Sequence, residues 1–200
     1  MTDEARQPSG EPGESPGDLP RGIAGRLREL WANRALRFVF LFLVYLSTAA
    51  LVYPELRARY RFVLDALMRA TARLEYYLFR LFTDDVSSSN TLVVMKGFSV
   101  KIIEECTGVY EALIFAAAVL AFPTSWKNKG IGFAFGIPMI YAFNAVRIAA
   151  LIAVGRFYPS LFDFMHLYFW QATLIVMITS VWAVWIFKVV LREEGRPSHA

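Results

Sequence analysis

Four stretches of this chain are apolar over lengths comparable to the thickness of a bilayer. They are Leu36 to Tyr53 (uncharged beyond Arg37), Gly108 to Phe122, Gly130 to Gly155 and His166 to Val190. About 20 helical residues cross a hydrocarbon core of roughly 30 Å, so runs of this kind leave few alternatives to membrane helices. Composition agrees: 56% of the 200 residues are hydrophobic and 16% aromatic, and the mean hydropathy is +0.42. The expected class is an all-α polytopic membrane protein with about four transmembrane helices.

The segments between the runs are also informative. Residues 1–20 are rich in Pro, Gly, Glu and Ser and are expected to form a disordered cytoplasmic tail. They lack the early basic and apolar regions of a signal peptide. Residues 21–190 are expected to form one membrane-embedded domain, and 191–200 a charged cytoplasmic tail. Five arginines between Arg21 and Arg37 read as a basic lead-in on the membrane surface. Pro54 is expected to end the first span.

In Arg61 to Phe82, Asp65, Arg69, Arg73 and Arg80 recur at helical spacing, and Phe62, Ala66, Ala70, Leu74, Tyr77, Leu78 and Leu81 fall mostly on the other side. Each central charge costs about 2.5–3.5 kcal/mol in a lipid-facing span. An interfacial amphipathic helix, or one packed on protein, is therefore expected. Thr83 to Thr91 reads as a polar turn region. Leu92 to Ile103 reads as a short extracytoplasmic β-hairpin turning at Lys96-Gly97. Its open edges require it to lie outside the hydrocarbon or behind protein. Pro123 should stop the second span, leaving Thr124 to Lys129 as a tight basic loop.

The net charge is +4, with basic residues gathered at the ends of apolar runs. That suits topology signals and contact with the lipid bilayer, and not nucleic acid, which wants a basic face on a folded domain. Lys/Arg bias places both termini and the Thr124–Lys129 loop in the cytoplasm of a cell (inner or plasma) membrane protein. The outer end of the third span is then near Gly155. The five tryptophans lie mostly near span ends, as an aromatic belt does.

Three chemically distinctive residues fall in the outer half of this arrangement. Cys106, the only cysteine, precedes the second span. Arg147 stands among Ala, Val and Ile in the third, about 12 Å below its outer end. His166 opens the fourth. A charge in mid-span usually faces a cavity or a partner, and Glu104, Glu105 or Glu111 could pair with Arg147. Asn144 lies one turn before Arg147 on the same face and could orient its guanidinium. Cys, Arg and His together suit acyl transfer. A thiolate attacks, an arginine stabilises the oxyanion and a histidine protonates the leaving amine. One cysteine and one membrane histidine are too few for a zinc site, and no phosphate-binding glycine loop is present, so no metal or cofactor is expected.

The run Glu105-Cys106-Thr107-Gly108, the pair Asn144 and Arg147 in the next span, and His166 at the start of the span after that resemble the exosortase/archaeosortase family. The resemblance covers roughly residues 100–190. It implies a compact, exosortase-like membrane cysteine transpeptidase, with Cys106, Arg147 and His166 as the catalytic set. Asn144, Thr107, Gly108, Glu105 and Glu111 would support them. It further implies exported protein substrates that end in a short motif, a transmembrane helix and a basic tail, cleaved at the outer membrane–water boundary through a thioester. A non-enzymatic scaffold or small transporter, with Arg147, Glu111 and His166 as a polar relay, is the alternative the residues leave open.

Overall fold

A computed structural model describes residues 33–194. The expectations for 1–20, for 21–32 and for 195–200 lie outside the described residues. The chain runs α1 (Arg34–Arg59), α2 (Arg61–Arg80), β1 (Val86–Ser89), β2 (Leu92–Met95), β3 (Phe98–Lys101), a 3-10 turn (Glu104–Cys106), α3 (Val109–Ala121) and α4 (Trp126–Phe157). It closes with α5, helical from Pro159 to Val190. α1, α4 and α5 are long and apolar enough to cross a membrane. The fourth expected span is α3, whose 13 residues reach about 20 Å.

Boundaries differ from the sequence reading where local chemistry outweighs a stop signal. Asn33 caps α1, its Oδ1 accepting from Ala35 N at 3.0 Å. Pro54 does not end α1; it lies inside it. The proline removes one backbone hydrogen bond, but Tyr53 and Arg57 on either side are both anchored on Glu104, which holds the last turn in line. The basic loop shrinks to Pro123–Ser125, because Ser125 caps α4 by accepting from Asn128 N, and Trp126 to Lys129 form its first turn. His166 does not open the last helix. It lies within α5, in a π-helical turn over Met165–Phe169.

α3, α4 and α5 share one core. Phe115 and Val119 from α3, Ile140 from α4, and Leu174, Met177, Val181 and Trp185 from α5 are buried together. Close approach depends on missing side chains: a Cβ at Gly136 would fall 2.1 Å from the Phe115 ring, and one at Gly132 2.8 Å from Trp185 Nε1. Trp185 also donates to the Asn128 carbonyl at 2.9 Å, pinning α5 to the start of α4.

The second core lies under a three-stranded antiparallel sheet, ordered β1-β2-β3. The expected hairpin is β2–β3, with Met95 opposite Phe98 and Gly97 at φ +83° in the turn. The polar stretch expected to be a turn contributes a third strand, β1, paired from Val86↔Met95 to Ser89↔Leu92. Its serines carry little apolar signal; pairing with β2 and burial of Val86 decide the conformation. Ala72 of α2 is buried with Val86, Val93, Met95, Ile102, Ile148 and Ile152. α2 is thus packed on protein along one apolar face. A second apolar face, with Phe62, Leu74, Tyr77 and Leu81, is exposed. Glu75, also on α2, is fully buried and both its carboxylate oxygens lack a hydrogen-bond partner among the described residues. Burial pushes its carboxyl up from 4.5 to about 8.

Candidate active site

Cys106 closes the 3-10 turn between β3 and α3, three residues before the α3 N-terminus. The turn is fixed by backbone bonds from Cys106 N to Ile103 O and from Thr107 N to Glu104 O, both 3.0 Å. The buried Thr107 hydroxyl adds a 2.6 Å bond to the same Glu104 carbonyl. Gly108 then turns the chain at φ +80°, with the Asn144 side chain 3.5 Å from where a Cβ would stand. A side chain there would strain the left-handed backbone, while the contact with Asn144 would be an ordinary one. The thiol is free and partly exposed, and its apolar side rests on the sheet core.

Asn144 links this loop to α4. Its Nδ2 donates to the Cys106 carbonyl, and its Oδ1 accepts from Arg147 Nη1 at 3.3 Å. The amide thus works in both directions, as the one-turn spacing of Asn144 and Arg147 suggests. Arg147 is buried, and its Nε has no hydrogen-bond partner among the described residues. It forms no salt bridge to Glu104, Glu105 or Glu111. Glu104 is taken by Arg57, Glu105 is exposed, and Glu111 keeps one buried oxygen unpartnered.

Glu104, expected at most as a partner of Arg147, is instead the centre of a cluster that the sequence reading did not foresee. Its carboxylate accepts from the Tyr53 hydroxyl and from the Tyr110 hydroxyl at 3.2 Å, and pairs with Arg57 Nε at 2.7 Å. One buried acid therefore joins the Cys106 turn to α1 and α3. The available signal was the i, i+4 placement of Tyr53 and Arg57 on one face at the end of the first span.

His166 stands apart from this network. It is half-buried, its ring stacks on Phe162 at 5.6 Å, and it makes no hydrogen bond among the described residues. Phe162 in turn meets Phe98 of β3 edge-on at 5.7 Å, and a Cβ at Gly155 would fall 2.1 Å from the Phe98 ring. The hairpin and the end of α4 therefore set the position of His166. The structure brings Cys106, Asn144 and Arg147 together, and seats His166 on a neighbouring aromatic stack. Chemically, the loop presents a thiol beside a helix N-terminus, with a buried guanidinium N–H unspent. Among the described residues, no group of His, Cys, Asp and Glu could hold a metal ion.

Residues 18–185 match a family model described as transmembrane exosortase. No curated protein and no solved structure matches the chain.

Proposed function

This chain belongs to the transmembrane exosortase family, and we propose that it is a membrane cysteine transpeptidase whose nucleophile is Cys106. The observation that carries the reading is Asn144, which ties the Cys106 carbonyl and the Arg147 guanidinium into one hydrogen-bonded unit. A nucleophile and an oxyanion donor must be held in a fixed relation, and one bridging amide does that.

The Cys106 thiolate attacks the scissile carbonyl of an exported protein. The tetrahedral oxyanion takes the N–H that Arg147 Nε leaves unspent. Collapse breaks the C–N bond and leaves a thioester on Cys106. The departing amine takes its proton from His166. Water or an acceptor amine then attacks the thioester and regenerates the thiol. His166 reaches the leaving group by a shift of its π-turn, a conformation often found at functional sites. The substrate class is a protein with a C-terminal motif, a transmembrane helix and a basic tail. The charge bias puts the site on the outer face of the cell membrane with both termini inside.

The test is co-expression with a candidate substrate, following its size with wild type and with Cys106→Ser, both confirmed in the membrane fraction. Shortening by wild type alone is expected, with a trapped thioester identifying the nucleophile. Equal shortening by both would remove Cys106 from catalysis.

A further inference from the structure

A cleft of about 460 Å³ opens between α2 and the edge of the sheet. It is lined by Arg69, Arg73, Tyr76 and Tyr77 of α2, by Val86, Ser87 and Ser88 of β1, and by Asn90. Apart from Val86, every lining side chain carries a hydrogen-bond donor, and none is a carboxylate. Arg69 and Arg73 stand one turn apart, where like charges repel. Neither makes a hydrogen bond or an ion pair among the described residues. The acids close by in sequence do not neutralise them. Asp84 is held by Arg80 at 2.8 Å, and Asp65 lines the adjoining groove without pairing with Arg69. An arrangement of two unpaired guanidinium groups with hydroxyls and an amide is the donor set that oxyanions, phosphate above all, accept from.

The surroundings point to the source of that anion. The exposed apolar face of α2 carries Leu74 and Tyr77, and Leu81 and Phe82 follow the helix; Tyr77 belongs to both the face and the cleft. Apolar surface beside a cationic pocket is the signature of a helix lying at a membrane interface, with acyl chains on one side and headgroups on the other.

We propose that the Arg69–Arg73 cleft binds the phosphate of an anionic phospholipid headgroup. The assignment stands independently of the peptidase chemistry. Arg69 and Asn90 also line the groove of about 690 Å³ that extends to Glu104 and Glu105, so a bound headgroup would adjoin the approach to Cys106.

The experiment uses the purified full chain in detergent micelles and follows thermal unfolding against added lipid. The probes are short-chain phosphatidylglycerol, phosphatidylcholine of equal chain length, and inorganic phosphate. Wild type should be stabilised by phosphatidylglycerol at concentrations where the other two have little effect. Arg69→Ala/Arg73→Ala should weaken the apparent phosphatidylglycerol affinity about thirtyfold. Arg59→Ala, on α1 and outside the cleft, should leave it unchanged. Equal responses to the two lipids, or retained affinity in the double variant, would overturn the site. An equal loss in Arg59→Ala would reduce it to general surface charge and overturn it as well. Inorganic phosphate binding as tightly as phosphatidylglycerol would overturn the lipid source. Should the double arginine variant not fold, Ser87→Ala/Ser88→Ala is read instead. Weaker phosphatidylglycerol binding then supports the site, and unchanged binding overturns it.

Discussion

The Cys106 turn and the His166 turn are built by different means. The first is tied by polar bonds on every side: Glu104 reaches α1 and α3, Thr107 closes the turn, and Asn144 binds it to α4. The second is held by ring contacts, His166 on Phe162, Tyr168 on Phe164 and Phe169 on Trp170, within a π-turn that departs from regular helix. Hydrogen bonds fix direction, whereas apolar contacts permit sliding. A nucleophile gains from a fixed position. A proton donor that must meet a leaving group after substrate has entered gains from freedom to move.

This contrast can be broken first at Asn144. Asn144→Ala unties the Cys106 carbonyl from Arg147, and displacement on the scale of 1 Å costs about a hundredfold in rate. Substrate shortening should fall by about that factor while the protein stays in the membrane fraction. An unchanged rate would mean that the two residues do not act as a unit. Glu104→Gln comes next. It keeps the shape but removes the charge that Arg57 balances, at a cost of about 1–3 kcal/mol. A lowered unfolding temperature and faster alkylation of Cys106 are expected, since the turn loosens. Gly155→Ala probes the other side. The added methyl displaces the Phe98 ring and, through Phe162, the His166 stack. Substrate processing should slow a few-fold while Cys106 alkylation stays at the wild-type rate. A change in alkylation would show that the two turns are mechanically coupled.

The smallest effect concerns the platform beneath both turns. Burial pushes the Glu75 carboxyl up to about 8 in the folded protein, against 4.5 when it is free in solution. Between those values the unfolded chain loses its proton first. The Glu75 contribution to stability is therefore greatest below about pH 4.5, falls as pH rises, and levels off above about 8. Glu75→Gln should flatten that slope in thermal unfolding at graded pH and leave substrate processing at neutral pH near wild type.

Much of this was legible in the sequence. The apolar runs located α1, α3, α4 and α5, Lys96-Gly97 located the hairpin, and the one-turn spacing of Asn144 and Arg147 gave their bond. Each of these is a local pattern. β1 was not legible, because Ser87 to Ser89 become a strand only by pairing with β2. The Glu104 cluster was missed because it joins residues 51 apart to the Cys106 turn. The position of His166 depends on helix rotation and on a π-turn, neither of which leaves a signature in residue types. The family resemblance correctly predicted the exosortase assignment, and residue spacing alone would not have reached it.

α1 carries no buried residue at all. Its half-buried positions, Phe38, Leu41, Phe42, Leu46, Ala49 and Tyr53, form a single stripe, and its polar ties to Glu104 lie at one end. The opposite face, with Leu43, Val44, Leu51 and Val52, is exposed among the described residues. Exchanges among apolar residues there should change stability by less than about 0.5 kcal/mol. Across related chains those positions would drift freely while Tyr53 and Arg57 held. A sequence comparison that scored the whole helix alike would undervalue the two residues that matter.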